Sequence, residues 1–117
     1  MRKITREAKK AYDNNENYSN GNTMVTAYKE DQGGRKVVYK VSVFLHGNEI
    51  IHKVDSFGKW IEEATLAGWD TVTTRERLNG ILGQRASFTQ KKGKQFLNDK
   101  EIVDIEKWYH IEAMGAE

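Results

Sequence analysis

Val37, Tyr39, Val41, Val43 and Leu45 alternate with residues that include Lys40, Ser42 and His46. An apolar side chain at every second position fits an extended strand with one face against a core. Gly47-Asn48 follow at once, and Ile50, Ile51 and Val54 resume the extended pattern. Residues that tolerate positive φ between two such runs predict a hairpin. Met24 to Lys29, ahead of the Asp31-Gln32-Gly33-Gly34 turn, form a further strand. Three antiparallel strands follow from alternation and turn chemistry.

The rest of the chain is less sharply patterned. Trp60 to Leu66 accommodates either period, and a strand is expected. Thr73 with Glu76 three residues on forms a capping box, which predicts a helix over Thr74 to Leu82 with Leu78, Ile81 and Leu82 inward and Gly83 closing it. Ala86 to Gln90, Lys91-Lys92-Gly93 and Lys94 to Leu97 read as a second hairpin bent at Gly93. Glu101 to Ile111 again fits both periods, with strand preferred. Ile4 to Tyr12 suits a short helix, marginal on its own. The Asn-rich run Asp13 to Asn22 reads as polar loop or local disorder, because its side chains compete for backbone hydrogen bonds.

The expected fold class is α+β, an antiparallel sheet of four to six strands with one short packed helix and an N-terminal helical arm. Residues 1–22 are read as a basic arm and polar linker, and residues 23–117 as a single compact domain. A chain of 117 residues buries roughly two thirds of its unfolded surface and supports one core. No apolar run approaches the roughly 20 residues of a membrane span. The basic N-terminus lacks the apolar segment of a secretory signal, so a cytoplasmic location is expected. The chain has no cysteine, which excludes disulfides and thiolate metal sites.

The net charge of +2 conceals an uneven distribution. Residues 1–12 carry Arg2, Lys3, Arg6, Lys9 and Lys10 against Glu7, a balance of +4. Residues 71–97 carry Arg75, Arg77, Arg85, Lys91, Lys92 and Lys94 against Glu76, a balance of +5, while residues 98–117 balance at −4. The basic middle is either a true electrostatic face or one neutralised by the acidic tail. Around the Lys91-Lys92-Gly93-Lys94 bend, cations are interleaved with Ser87, Phe88, Thr89 and Gln90, residue types that stack on bases or hydrogen-bond phosphates. Arg85, Phe88, Lys91, Lys92 and Lys94 are the candidate nucleic-acid-binding residues; a solubilising lysine turn is the plainer alternative. If all six cations met phosphates, the log–log salt slope of affinity would be about −4 to −5. On the helix, at about 100° per residue from Leu78, Arg75 falls near +60° and Arg77 near −100°. They flank opposite sides of the core stripe, so a groove-reading helix is not expected.

No catalytic constellation stands out. His46, His52 and His110 lack metal-binding spacing, and His46 with His52 and Asp55 is the best metal grouping available. Asp104 and Glu106 would share a face if the tail were one strand. No catalytic residue, metal site or cofactor is expected.

Three blocks carry a family resemblance: Leu45-His46-Gly47-Asn48-Glu49-Ile50; the run from Ala67 to Leu82, which fits AGWxTxTTRERLNxIL; and Phe88-Thr89-Gln90-Lys91-Lys92-Gly93. Together they resemble a group of small phage-encoded proteins of uncharacterised function. The resemblance spans roughly residues 40–97 and implies an accessory protein of the infected bacterial cytoplasm, with no catalytic residue to carry over. Physically, Gly68 reads as a tight-turn residue, Trp69 as a buried anchor beneath the helix start, and Thr73 as its cap. Three readings follow. The first is a non-enzymatic phage protein that binds nucleic acid through the basic hairpin, tolerant of sequence. The second is an inhibitor that binds a host defence or transcription protein. The third is a metal-dependent hydrolase using the tail carboxylates and histidines.

Overall fold

A computed structural model describes residues 1–112; residues 113–117 of the expected domain and acidic tail lie outside the described residues. The chain begins with helix α1 (Lys3–Asp13) and then forms strands β1 (Tyr18–Asn20), β2 (Thr23–Gln32), β3 (Arg35–Leu45), β4 (Asn48–Ser56) and β5 (Lys59–Ala64). Helix α2 (Val72–Leu82) and a 3-10 turn at Gly83–Arg85 lead into β6 (Phe88–Lys91), β7 (Lys94–Leu97), β8 (Lys100–Ile102) and β9 (Tyr109–Ile111). Every pairing is antiparallel. One sheet has six strands in the order β1-β2-β3-β4-β5-β9, and a second has three in the order β6-β7-β8. The class is α+β, as the alternation requires.

The first five strands run as a meander because each connection is a tight turn. At the bend between β3 and β4 the positive φ values fall on His46 (51°) and Gly47 (80°), one residue earlier than expected and in keeping with a two-residue turn of the hand that matches strand twist. Val41, Val43 and Leu45 are buried, with Val25 and Ile51 beside Val43 on the same face. Both helices contribute to the core: Ala8, Ala11 and Tyr12 from α1, and Leu78, Ile81 and Leu82 from α2.

Four expectations are corrected here. The N-terminal helix does not stand apart as an arm, since α1 buries Ala8, Ala11 and Tyr12 in the core. The Asn-rich segment is not wholly loop: Tyr18–Asn20 pairs with β2, held by the Ala27 amide donating to Asn17 Oδ1 at 2.7 Å and Tyr18 donating to Glu7 at 2.8 Å. The tail is two strands, not one, because β8 joins the small sheet and β9 the large one. Asp104, between them, caps a turn by accepting from the Glu106 amide at 3.0 Å, so it makes no acidic face with Glu106. Finally, the second hairpin does not extend the main sheet but starts the separate one.

Helix α2 begins differently from its predicted form. The chain reverses at Ala67 and Gly68, with φ of 55° and 82°, and Gly68 donates to the Ile105 carbonyl at 2.9 Å. A Cβ at position 68 would make only ordinary contact with the Glu106 side chain, at 3.4 Å, so it is the backbone conformation that favours glycine there. The cap is Thr71, not Thr73: Thr71 Oγ1 accepts from the Thr74 amide at 3.2 Å. Glu76 does not reach back in a capping box because Thr5 and Arg77 hold it instead. Gly80 permits α1 to approach closely, as a Cβ there would lie 2.3 Å from Thr5 Cγ2.

Candidate functional site

The Lys92-Gly93 turn fixes the register of the basic hairpin: Lys91 opposes Lys94, Gln90 opposes Gln95, Thr89 opposes Phe96 and Phe88 opposes Leu97. Opposed residues share a face and alternate along each strand. Phe88 therefore faces the core, where it is 2% exposed, together with buried Gln95 and Ile102. Its ring offers no stacking surface, and the expectation for Phe88 is corrected. Thr89, Lys91, Lys94 and the half-buried Phe96 occupy the outer face, with Lys92 at the tip. Phe96 is the aromatic that accompanies the lysines, and the turn position with period-two parity would have identified it.

The arginines of this basic segment are held internally. Arg85 donates from Nε to Glu62 Oε1 at 2.7 Å and from Nη2 to Glu62 Oε2 at 3.0 Å, a bidentate pair that leaves its charge matched. Arg77 is 2% exposed and donates to Thr23 Oγ1 (3.0 Å), Thr5 Oγ1 (3.1 Å) and the Glu76 carboxylate. Burial pushes the Glu76 carboxyl up, but hydrogen bonds from Thr5, Arg77 and the Arg2 amide outweigh it and hold the pKa below the ordinary carboxylate value. Arg75 bridges the Asp70 carbonyl at 3.1 Å and Gln95 Oε1 at 3.0 Å. Among the described residues, Lys91, Lys92 and Lys94 remain exposed without an ion pair. The available charge at the hairpin is thus three lysines, not six cations.

A second feature lies where two blocks of the sequence resemblance meet. The β3–β4 turn and the start of α2 enclose a cleft of about 270 Å³ with Leu45 and Ile50 in its floor and His46, Asn48, Thr71 and Thr73 at its sides. Trp69 forms a wall and is 55% exposed, so its reading as a buried anchor is overturned. Its backbone is nevertheless fixed, the Trp69 amide donating to the Leu66 carbonyl at 2.8 Å. The indole stands out because the chain reverses before reaching it, leaving Leu66, at 1% exposure, to fill the core. His46 is the sole ionisable side chain in the lining.

The histidines do not converge. His46 lies 3.5 Å from the Asn22 amide, while His52 faces Glu63 at 2.8 Å and stacks on Trp108 with centroids 4.3 Å apart. Asp55 accepts from the Gly58 amide in the β4–β5 turn. No group of three or more metal-ligating side chains forms among the described residues. On the other face of the sheet, Lys53 lies over the rings of Tyr12 and Trp60 at 4.6 and 4.9 Å. Burial lowers the Lys53 amine, with Asp13 and Glu62 partly countering it, and burial followed by Glu62 raises the Tyr12 phenol. Tyr12 donates to Glu62 at 2.5 Å, so this group closes on itself.

The family described as Kyanoviridae Gp96 protein matches residues 1–115. The chain belongs to this family. It is therefore a phage-encoded protein, and the match takes in helix α1 and strand β9 as well as the central block. No curated protein and no solved structure matches the chain. Among the described residues no helix is long and apolar enough to cross a membrane.

Proposed function

We propose that this phage protein is a non-enzymatic accessory factor of the host cytoplasm that binds single-stranded nucleic acid, tolerant of sequence, through the outer face of the β6–β7 hairpin. The observation that carries the reading is the placement of Lys91, Lys94 and Phe96 on one exposed face with Lys92 at its tip. Ammonium groups track phosphates while an aromatic ring stacks on whichever base lies beside it. Binding rather than catalysis is favoured because the described ionisable clusters are internally paired, as with Arg85, Tyr12 and Glu62.

The test is fluorescence anisotropy with labelled single-stranded oligonucleotides across a salt series. Three lysines on a single strand give an expected log–log slope of about −2. The triple variant Lys91→Glu, Lys92→Glu, Lys94→Glu should abolish binding while keeping the wild-type melting temperature. Binding that is absent, or indifferent to both salt and these substitutions, would overturn the reading.

One observation favours the host-protein reading. The β4–β5 hairpin exposes Phe57 fully at its tip, with Val54, Trp60 and Ile61 each more than a third exposed nearby. Val54 and Ile61 share one face of this hairpin and Trp60 lies on the other, and exposed apolar side chains around a projecting tip suit a protein partner. Affinity capture from infected cells with nuclease present, comparing wild type with Phe57→Ser, separates the two. A stoichiometric partner that survives nuclease and is lost on Phe57→Ser would favour inhibition of a host protein.

A further inference from the structure

We propose that the protein self-associates head to tail, with Phe57 at the β4–β5 tip of one copy seated in the Trp69 cleft of the next. The contact goes beyond the nucleic-acid reading, and none of the β6–β7 lysines belongs to either half of it.

The tip is not explained by its own turn. Two-residue hairpin turns with positive φ at both centres are built mostly from Asn, Asp and Gly, because a bulky side chain is strained there. His46-Gly47 and Lys92-Gly93 each place a polar residue first. Phe57-Gly58 instead gives an aromatic residue a φ of 54° and leaves its ring fully exposed. Both the backbone conformation and the hydrated ring are unfavourable in the lone molecule. Asp55 accepts from the Gly58 amide at 2.9 Å, so the ring is presented on a closed turn.

The cleft supplies the complementary half. An apolar cavity of about 150 Å³ is enough to take up benzene. The space of about 270 Å³ above Leu45 and Ile50 therefore accommodates a phenyl ring with its methylene. Trp69 gives that ring an aromatic wall to pack against. No lysine, arginine or carboxylate lines the cleft, and Val72, between the lining residues Thr71 and Thr73, is exposed as well. Charge is matched outside it. Lys59, two positions beyond Phe57, and Asp70, next to Trp69, are both exposed and form no ion pair within their own copy among the described residues.

The two halves sit at opposite ends of β4. Ile50 belongs to the cleft and Phe57 follows Ser56, so about 23 Å of strand separates them at about 3.3 Å per residue. The ring cannot reach its own cleft, and a second copy carries the one that fits it. Because the two surfaces differ, the contact is heterologous and leaves a free tip and a free cleft at the ends of any open chain. One ring in one cleft buries little area, so association is weak.

The test is sedimentation velocity from micromolar to millimolar protein. Wild type should form dimers and larger species as concentration rises, and Phe57→Ser should weaken association by about 30-fold or more, as loss of a buried anchor does. Thr73→Arg, which brings a charge into the cleft, should act alike while keeping the wild-type melting temperature. The decisive sample is their mixture: Phe57→Ser retains a cleft and Thr73→Arg a tip, so together they should form a one-to-one dimer and nothing larger, although neither associates alone. Should Thr73→Arg fail to fold, fluorine NMR of protein labelled with 5-fluorotryptophan decides. The Trp69 resonance, assigned by Trp69→Phe, should move with concentration in wild type and stay in Phe57→Ser. Association that survives Phe57→Ser, or that a folded Thr73→Arg leaves intact, overturns the contact. A wild type that stays monomeric at every concentration overturns it too, and loss of nuclease-resistant host-protein capture on Phe57→Ser would then assign the tip to a host partner.

Discussion

Gly80→Ala sets helix propensity against packing. In an isolated helix the change is favourable by about 1 kcal/mol, since glycine is a poor helix former. Here the added methyl would lie 2.3 Å from Thr5 Cγ2 and 3.1 Å from Met1 Sδ. The methionine thioether, on an exposed residue, swings aside, but Thr5 is wholly buried. Relief requires α1 to withdraw by about an ångström, an overpacking cost of roughly 1–3 kcal/mol. Withdrawal also stretches the Thr5 hydroxyl away from Glu76 and Arg77, now 2.7 and 3.1 Å distant, and a buried guanidinium short of an acceptor costs about 1–3 kcal/mol more. Packing wins by roughly 2 kcal/mol, which for a domain of this size lowers the melting temperature by about 8 °C. The diagnostic partner is Thr5→Ser, which deletes the clashing methyl and keeps the hydroxyl. Alone it should cost about 1 kcal/mol for one lost buried methyl. Combined with Gly80→Ala it should restore stability, because the alanine methyl occupies the vacated space, and the coupling should be at least about 1 kcal/mol. Thermal melts of the four proteins read the result. A Gly80→Ala protein at least as stable as wild type, or a double variant no better than Gly80→Ala alone, would refute the account of how the helices meet.

Three further outcomes are expected. Glu76 has a folded-state pKa below its unfolded value of about 4.3, so its contribution is complete above about pH 5 and is lost as pH falls through the lowered pKa; the gap in urea midpoint between wild type and Glu76→Gln should be constant above about pH 5 and narrow steadily as the pH is lowered below it. Phe88→Ala should cost about 3–5 kcal/mol of stability by emptying the core, read by urea denaturation. Phe96→Ala should leave the fold intact and weaken oligonucleotide binding by about 1–3 kcal/mol, read by anisotropy.

The parts of this architecture legible in the sequence are those fixed by local chemistry. Alternation from Val37 to Leu45 and the glycine-bearing turns specify the meander, and Leu78, Ile81 and Leu82 specify the inner face of α2. What escaped depends on distant partners. Arg77 reads as a surface cation, yet Thr5, Thr23 and Glu76 draw it inside. Arg85 is likewise claimed by Glu62, 23 positions away. Phe88 and Phe96 were exchangeable by composition, and the register set at Lys92-Gly93 decides which of them faces solvent. Trp69 misled because a large aromatic is usually sheltered, whereas here Leu66 already fills the place beneath the turn.

Strand β9 covers β5 through the pairs Glu62–Ile111, Glu63–His110 and Ala64–Tyr109. Among the described residues, those three seal one margin of the large sheet. During synthesis β1 to β5 can pair long before residue 111 leaves the ribosome, and for that interval β5 presents unpaired amides and carbonyls to any neighbouring polypeptide. Removing or crowding the segment that follows Val103 would prolong that vulnerable interval indefinitely, leaving β5 as a template for edgewise association.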